Sequence, residues 1–334
     1  MVRFGIAGFG LHAVKRLMPG FALSKNCRVT AISRPNFEKA QASARQFNIP
    51  HAFASTAELS QCSEVDAVFV ATPNVAHVND VLAAVAAGKP VLCEKPMGMN
   101  AGECRRMVEA ARAAGVLLGV AHVFRFEQTT NRCRERVAAG ALGAPIFARS
   151  EFSFLGGREH ARTWLNDVKV AGGGPIADIG VHCVDTLRYI LQDEVVRVSA
   201  TAIPNRTAPD IEAAAHLSLE FSRGTLGAVL CSFLADYRTP FELVGDGGSV
   251  RADDFLNVER AVTLEWRRSH TAVETETLSN QLAYGLQVDA FAAAVEGKGA
   301  FPAPGEDGWQ NQEILDAAYR SIRSGKAEDV PQVK

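Results

Sequence analysis

The sequence predicts an α/β protein in two parts, a doubly wound parallel sheet followed by an α/β domain with an open, mainly antiparallel sheet. Three observations carry this. From the start to about residue 121, short runs that are apolar throughout alternate with segments of helical spacing, as parallel strands covered on both faces do. Near Phe124 the pattern changes to strand signals in succession, some joined by short links such as Ser222-Arg223-Gly224 and Asp246-Gly247-Gly248. The 334 residues exceed what one ordinary core holds and suit two domains, expected at 1–122 and 123–334.

In chain order, Val2–Ala7 reads as a strand, and residues 11–23 follow with helical spacing of Val14, Leu17, Met18 and Phe21. A strand over 28–32 and a helix over 36–47 come next, then a nearly all-apolar third strand over 65–71 and an alanine-rich stretch over 76–87. Strands over 89–93 and 116–120 flank a helix over Ala101–Ala114. In the second part a helix over 131–139 and a strand over 145–154 lead into a loop rich in Gly and Arg. A helical segment over 175–191 precedes strands over 195–202, 213–221, 225–233, 241–244 and 262–265. Helical patterns return over 282–295 and 308–322, and the last helix, about 306–324, is expected to pack back on the first domain. Both alternating sets of residues 213–233 are rich in apolar side chains, so this sheet is expected to bury one face on its own helices and the other on a second subunit.

Composition narrows the function. With 47% hydrophobic and 22% charged residues the chain is ordinary globular protein, and a formal net charge of -2 without basic tail or charge block gives no footing for nucleic acid or an anionic membrane. Seven cysteines without a Cys-x-x-Cys pair argue against a disulfide framework and a thiolate metal site, and the histidines show no metal-ligand spacing, so no metal is expected. Val2–Ala7 is too short for a signal peptide and runs into a glycine turn, so a cytoplasmic protein with reduced thiols is expected.

Gly8-Phe9-Gly10-Leu11-His12-Ala13 fits G-x-G-x-x-(G/A) between a predicted strand and a predicted helix, the fingerprint of a Rossmann dinucleotide-binding domain. The first glycine permits the turn, the second lets the backbone approach a pyrophosphate, and small Ala13 allows close helix–strand packing. At the end of the second strand an NAD-specific fold would carry Asp or Glu; this chain has Ser33-Arg34. A hydroxyl and a guanidinium favour a 2′-phosphate, hence NADP, with NAD as the alternative and Lys39 as a further source of charge. An ordinary solvated loop arginine is the competing reading.

Two constellations carry candidate chemistry. Glu94-Lys95-Pro96 follows a parallel strand at its carboxyl end, where ligands sit in open α/β sheets. Lys95 there suits a hydrogen bond or proton to a substrate oxygen, and equally a surface salt bridge. The second is Gly172-Gly173-Gly174 running to Asp178, His182 and Asp185, which on a helix share one face at i, i+4 and i+7. A histidine there suits the proton transfer that accompanies hydride transfer, but the spacing alone favours a polar helix face with a satisfied histidine.

At this point the sequence resembles the glucose–fructose oxidoreductase, inositol dehydrogenase and rhizopine-catabolism (Gfo/Idh/MocA) family over nearly its whole length. The likeness rests on Gly8-Phe9-Gly10, on Ala71-Thr72-Pro73-Asn74 with His77, on residues 87–96 ending in Glu94-Lys95-Pro96, on Gly172-Gly173-Gly174 with Asp178 and His182, and on Gly305-Glu306-Asp307-Gly308. The resemblance implies an NADP(H)-dependent oxidoreductase moving a hydride between the nicotinamide and a sugar, ketose or polyol, as a homodimer or homotetramer. It implies Lys95 and His182 as catalytic pair with Asp178 binding substrate. It places Thr72, Pro73, Asn74 and His77 along the cofactor and Glu94 beside its ribose, with Gly8, Phe9, Gly10, Leu11 and His12 in the phosphate turn. Ser33, the stretch ending at Arg188, and residues 241–249 look most similar to the family's NADP-dependent 1,5-anhydrofructose reductases. Two departures stand out. Leu165 follows Trp164 where many members carry an arginine near the cofactor, a contact that Arg162 is the candidate to replace. His122-Val123-Phe124-Arg125 differs from the reductases' histidine-rich stretch. The competing classes are a non-catalytic NADP-binding regulator, which tends to lose the Lys or His retained here, and a glycoside hydrolase that keeps its cofactor bound.

Overall fold

The computed structural model describes residues 1–156, 163–268 and 272–333. The chain divides into two compact units, Met1–Val123 with Leu282–Trp309, and Phe124–Gln281 with Gln310–Lys334.

The first unit is built on six parallel strands, β1 (Val2–Ala7), β2 (Cys27–Ser33), β3 (His51–Phe53), β4 (Ala67–Val70), β5 (Val91–Cys93) and β6 (Leu118–Val120). Their order, β3-β2-β1-β4-β5-β6, is that of a Rossmann dinucleotide fold, reversing direction between β1 and β4. The middle strands β1, β4 and β5 are buried almost throughout, which is why they read as apolar runs. Short β3 was not anticipated. Its three half-buried residues lie at the sheet edge and carry no periodicity. Helices start where side chains satisfy their free amides: Asn36 accepts from the Lys39 N–H and Asn100 from the Glu103 N–H.

Residues 282–309 fall in sequence within the expected second domain, yet belong to this first unit. Phe291, on the helix Ala283–Val295, meets Phe4 of β1 at 6.1 Å and Phe301 at 5.2 Å, while Gly20 leaves room for Tyr284. These contacts are fixed by packing rather than by any local pattern.

The second unit holds a nine-stranded mixed sheet of β7 (Pro145–Ser153), β8 (Val195–Pro204), β9 (Glu212–Phe221), β10 (Leu226–Ser232), β11 (Phe241–Gly245), β12 (Gly248–Ala252), β13 (Ala261–Arg268), β14 (Ala272–Ser279) and β15 (Glu328–Asp329). All neighbours are antiparallel except β7 and β10. The helix Val181–Leu191 covers one face, against which Ala148, Ser150, Val229 and Cys231 are buried. Much of the alternating set is exposed or half-buried in the single chain, with Phe147 opposite Leu226 across β7 and β10 among polar His216, Ser218 and Glu220. No helix among the described residues is long and apolar enough to cross a membrane.

Candidate functional site

In the first unit, the sequence-predicted cofactor residues lie at or after the carboxyl ends of parallel strands. Gly8 leaves β1 at φ 82°, and a Cβ there would lie 2.6 Å from the Thr72 nitrogen, so only glycine fits. At Gly10 the nearest atom to a Cβ is 3.9 Å away, which leaves the backbone open to a phosphate. The Gly8 and Phe9 amides donate to the Ser33 carbonyl, each at 3.1 Å, tying the glycine turn to the end of β2. Phe9 is buried against Phe47, Leu11 is exposed, and a π-helical turn, Ala13–Leu17, begins directly after His12. Tight turn, open second glycine and adjoining helix together fit a dinucleotide pyrophosphate.

Around this turn, Ser33 is buried, and Arg34 is half-buried with its Nη1 donating to the Ser43 hydroxyl at 3.2 Å. Lys39 is exposed. His12 Nε2 lies 2.8 Å from Glu94 Oε1. Burial pushes the Glu94 carboxyl up, but the charge and hydrogen bond of His12, together with the charge of Lys95 and His77, outweigh this and hold it below the usual carboxylate range. After β4, the Thr72 hydroxyl donates to Asp80 at 2.7 Å, Pro73 is exposed and Asn74 is buried. His77 is fully buried, its ring nitrogens 2.8 Å from the Thr72 carbonyl and 3.0 Å from that of Pro96. Burial holds it below the usual histidine range, and its two ring nitrogens link the loops after β4 and β5. Lys95 is half-buried, in a cis peptide with Pro96.

In the second unit, the stretch after Gly172-Gly173-Gly174 forms a π-helical turn, Ile176–Gly180, continuous with the helix Val181–Leu191. Wide turns of this kind recur at functional sites. Asp178 lies within the turn and His182 four residues on, both buried. Phe124 meets the His182 ring edge-on at 4.7 Å, and Phe152 lies nearly parallel to it at 6.2 Å. Phe152 in turn touches Phe154 and Tyr237, and Phe154 touches Phe233. This aromatic wall escaped the sequence reading because its members come from separate strands and loops.

The predicted helix face also included Asp185, and the structure gives that residue a different task. Arg125 donates to it from Nε at 2.9 Å and Nη2 at 2.6 Å, and Asn311 Nδ2 adds a bond of 2.8 Å. Arg125, in the stretch that departs from the reductases' histidine-rich pattern, is thus a buried anchor for the helix that carries His182. Leu165, after Trp164, is buried, and Arg162 lies outside the described residues. Glu212, at the start of β9, is a residue the sequence reading missed. It accepts from the Gly174 and Ile176 amides and the Tyr319 hydroxyl, and burial still pushes its carboxyl above the usual range.

A Rossmann unit with its phosphate turn open, joined in sequence to an open-sheet unit that buries an Asp and a His on one helical turn, defines a dinucleotide-dependent oxidoreductase. Residues 2–122 match the model of the oxidoreductase family with NAD-binding Rossmann fold, GFO_IDH_MocA, and residues 130–251 match the GFO/IDH/MocA C-terminal domain. The chain is 32% identical to 1,5-anhydro-D-fructose reductase of Ensifer adhaerens over 99% of both chains. It is 35% identical to trans-1,2-dihydrobenzene-1,2-diol dehydrogenase of Mus musculus over 69% of this chain and 68% of that one. Aldose-aldose oxidoreductase from Caulobacter crescentus, solved with glycerol, superposes with a TM-score of 0.90 at 25% identity, covering 98% of this chain and 99% of that one. The chain belongs to the Gfo/Idh/MocA family. It is an NAD(P)-binding oxidoreductase acting on CH–OH groups.

Proposed function

We propose that the protein is an NADP(H)-dependent oxidoreductase of a sugar, ketose or polyol, with His182 and Lys95 as the proton-transfer pair and Asp178 binding a substrate hydroxyl. The observation that carries this is the buried turn holding Asp178 and His182 on one helical face. When bound, the nicotinamide supplies or accepts the hydride. His182 gives the carbonyl oxygen a proton on reduction and takes it from the alcohol on oxidation, in an orientation set by Phe124 and Phe152. Lys95 stabilises the charge on the same oxygen. Gly8, Phe9, Gly10, Leu11 and His12 hold the pyrophosphate, and Thr72, Pro73, Asn74 and Glu94 line the cofactor, with His77 bracing them from beneath. The test is hydride transfer followed by absorbance of the reduced cofactor, with a panel of sugars, ketoses and polyols against NADP(H) and NAD(H). Transfer with none of them would sink the reading. Nucleotide remaining bound through purification, with glycoside cleavage, would favour a cofactor-dependent hydrolase, and binding without turnover a regulator.

The aromatic wall beside His182 favours a second substrate class, cyclic diols with an apolar ring face, in keeping with the dihydrobenzenediol dehydrogenase among the relatives. The same assay with an alicyclic diol separates the two.

NADP preference rests on Ser33-Arg34 without a carboxylate at the end of β2. Arg34→Ala removes a charged hydrogen bond worth about 1.5–3 kcal/mol, so NADP affinity is expected to fall by roughly 10- to 150-fold with NAD affinity nearly unchanged. Titration of both cofactors by fluorescence checks this, and equal losses for the two would show that Arg34 does not read the phosphate.

Assembly as a homodimer or homotetramer in the cytoplasm completes the proposal. Phe147 and Leu226 lie exposed side by side on the open face of the second sheet, where a subunit would cover them. Light scattering at low micromolar concentration is expected to give a dimer or larger; a monomer defeats it.

A further inference from the structure

Three glycines in a row make the most flexible lead into a helix that a chain can have. Here that lead precedes the two residues on which the proposed proton transfer depends, so something outside it has to fix it. The first amides of the turn show what does. Gly174 N–H lies 3.1 Å from both carboxylate oxygens of Glu212, and Ile176 N–H lies 2.9 Å from Oε1. Pro175 between them has no N–H to give. Two free amides that start the helix therefore end on one side chain, reached from β9, and the carboxylate lies at the positive end of the helix dipole. The Tyr319 hydroxyl donates to the same Oε1 at 3.1 Å. Glu212 is 8% exposed, so water does not substitute for these bonds.

The glycines have a matching reason. A Cβ at Gly173 would lie 1.8 Å from the Tyr319 oxygen, and one at Gly174 would lie 2.2 Å from the Glu212 carbonyl oxygen. Side chains there would push away both groups that hold the turn. The glycine run is a socket for a carboxylate of the protein itself.

We infer that Glu212 is a positioning residue for hydride transfer, its carboxylate and Tyr319 holding the 174–176 backbone so that Asp178 and His182 stand in place. The inference rests on the role proposed for His182. Glu212 touches neither substrate nor cofactor in this scheme and acts only through the turn.

The test is Glu212→Gln in the full chain, which keeps the shape but turns one acceptor into a donor facing the amides. Hydrogen–deuterium exchange of the 172–180 segment is expected to rise at least about tenfold, and turnover per folded enzyme to fall by about 10- to 100-fold, the range of a lost charged hydrogen bond. Affinity for NADP(H) is expected to hold. In a His182→Ala background the same substitution is expected to cost less than about threefold, because its route to the chemistry is already cut. An equal loss in both backgrounds, or unchanged exchange, overturns the inference. If Glu212→Gln does not fold, Tyr319→Phe removes a single donor and is read the same way; it is expected to raise exchange in 172–180 and to couple to His182, and no change in either overturns the inference. Raised exchange beside a His182→Ala enzyme of normal turnover would instead sink the role of His182, and with it positioning for that chemistry.

Discussion

His182→Ala is expected to slow hydride transfer by about 10²- to 10⁴-fold, the usual contribution of a positioned acid or base. The imidazole lies against Phe124 and Phe152, neither of which can donate or accept the proton in its place. The glycine turn, Ser33 and Arg34 belong to the other compact unit, so NADP(H) affinity is expected to change little. Single-turnover transfer with the best substrate found, beside an independent cofactor titration, separates the two effects. Near-normal turnover would remove His182 from the proton path and leave Lys95 to carry it. A parallel loss of cofactor binding would call for His182→Asn, which keeps a polar group of similar size. Lys95→Ala is also expected to slow turnover, but Lys95 follows Glu94, which is bonded to His12 of the glycine turn, and that makes it the less specific probe.

The Rossmann sheet and its glycine turn were legible in the sequence because their logic is local. Gly8, Gly10 and Ala13 owe their identities to one turn between one strand and one helix, and strand after strand was buried on both faces and so spelled itself out in apolar runs. The family motifs also marked Asp178 and His182. Where two residues meet through the fold alone, the sequence was silent. Asp185 shares a helical face with His182, and helical spacing cannot tell a reactive carboxylate from one already claimed by Arg125, sixty positions earlier. Glu212 was hidden for the same reason, since nothing in the spacing joins residue 212 to residue 174. Strands β3, β12, β14 and β15 went unread because edge pairing, tight links and polar exposed faces leave little apolar alternation. The parallel β7–β10 pair inside a mainly antiparallel sheet is likewise a matter of which strands meet.

Replacing Arg125 by Leu is expected to destabilise the second unit by about 3–5 kcal/mol, the cost of breaking a buried ion pair by removing one partner. Arg125 and Asp185 are 5% and 1% exposed, so the stranded carboxylate has almost no access to water. Asn311 Nδ2 remains to it at 2.8 Å, but its own oxygen is held at 2.6 Å by Arg188, whose guanidinium also pairs with Glu194 at 2.7 and 2.8 Å. A neutral amide donor is a weaker partner for a carboxylate than a bidentate guanidinium. The loss also takes away the arginine that lies 5.0 Å over the Tyr189 ring. Because a chain of two units can unfold in more than one step, exchange protection of amides in Val181–Leu191 should be measured beside the denaturant midpoint. Protection there is expected to drop with the midpoint. The double variant Arg125→Leu with Asp185→Leu is expected to recover most of the loss, since an apolar pair in place of a buried ion pair is often neutral. A single-variant loss below about 1 kcal/mol, the value of an exposed pair, would show that water reaches Asp185 and that this helix is not anchored by the ion pair.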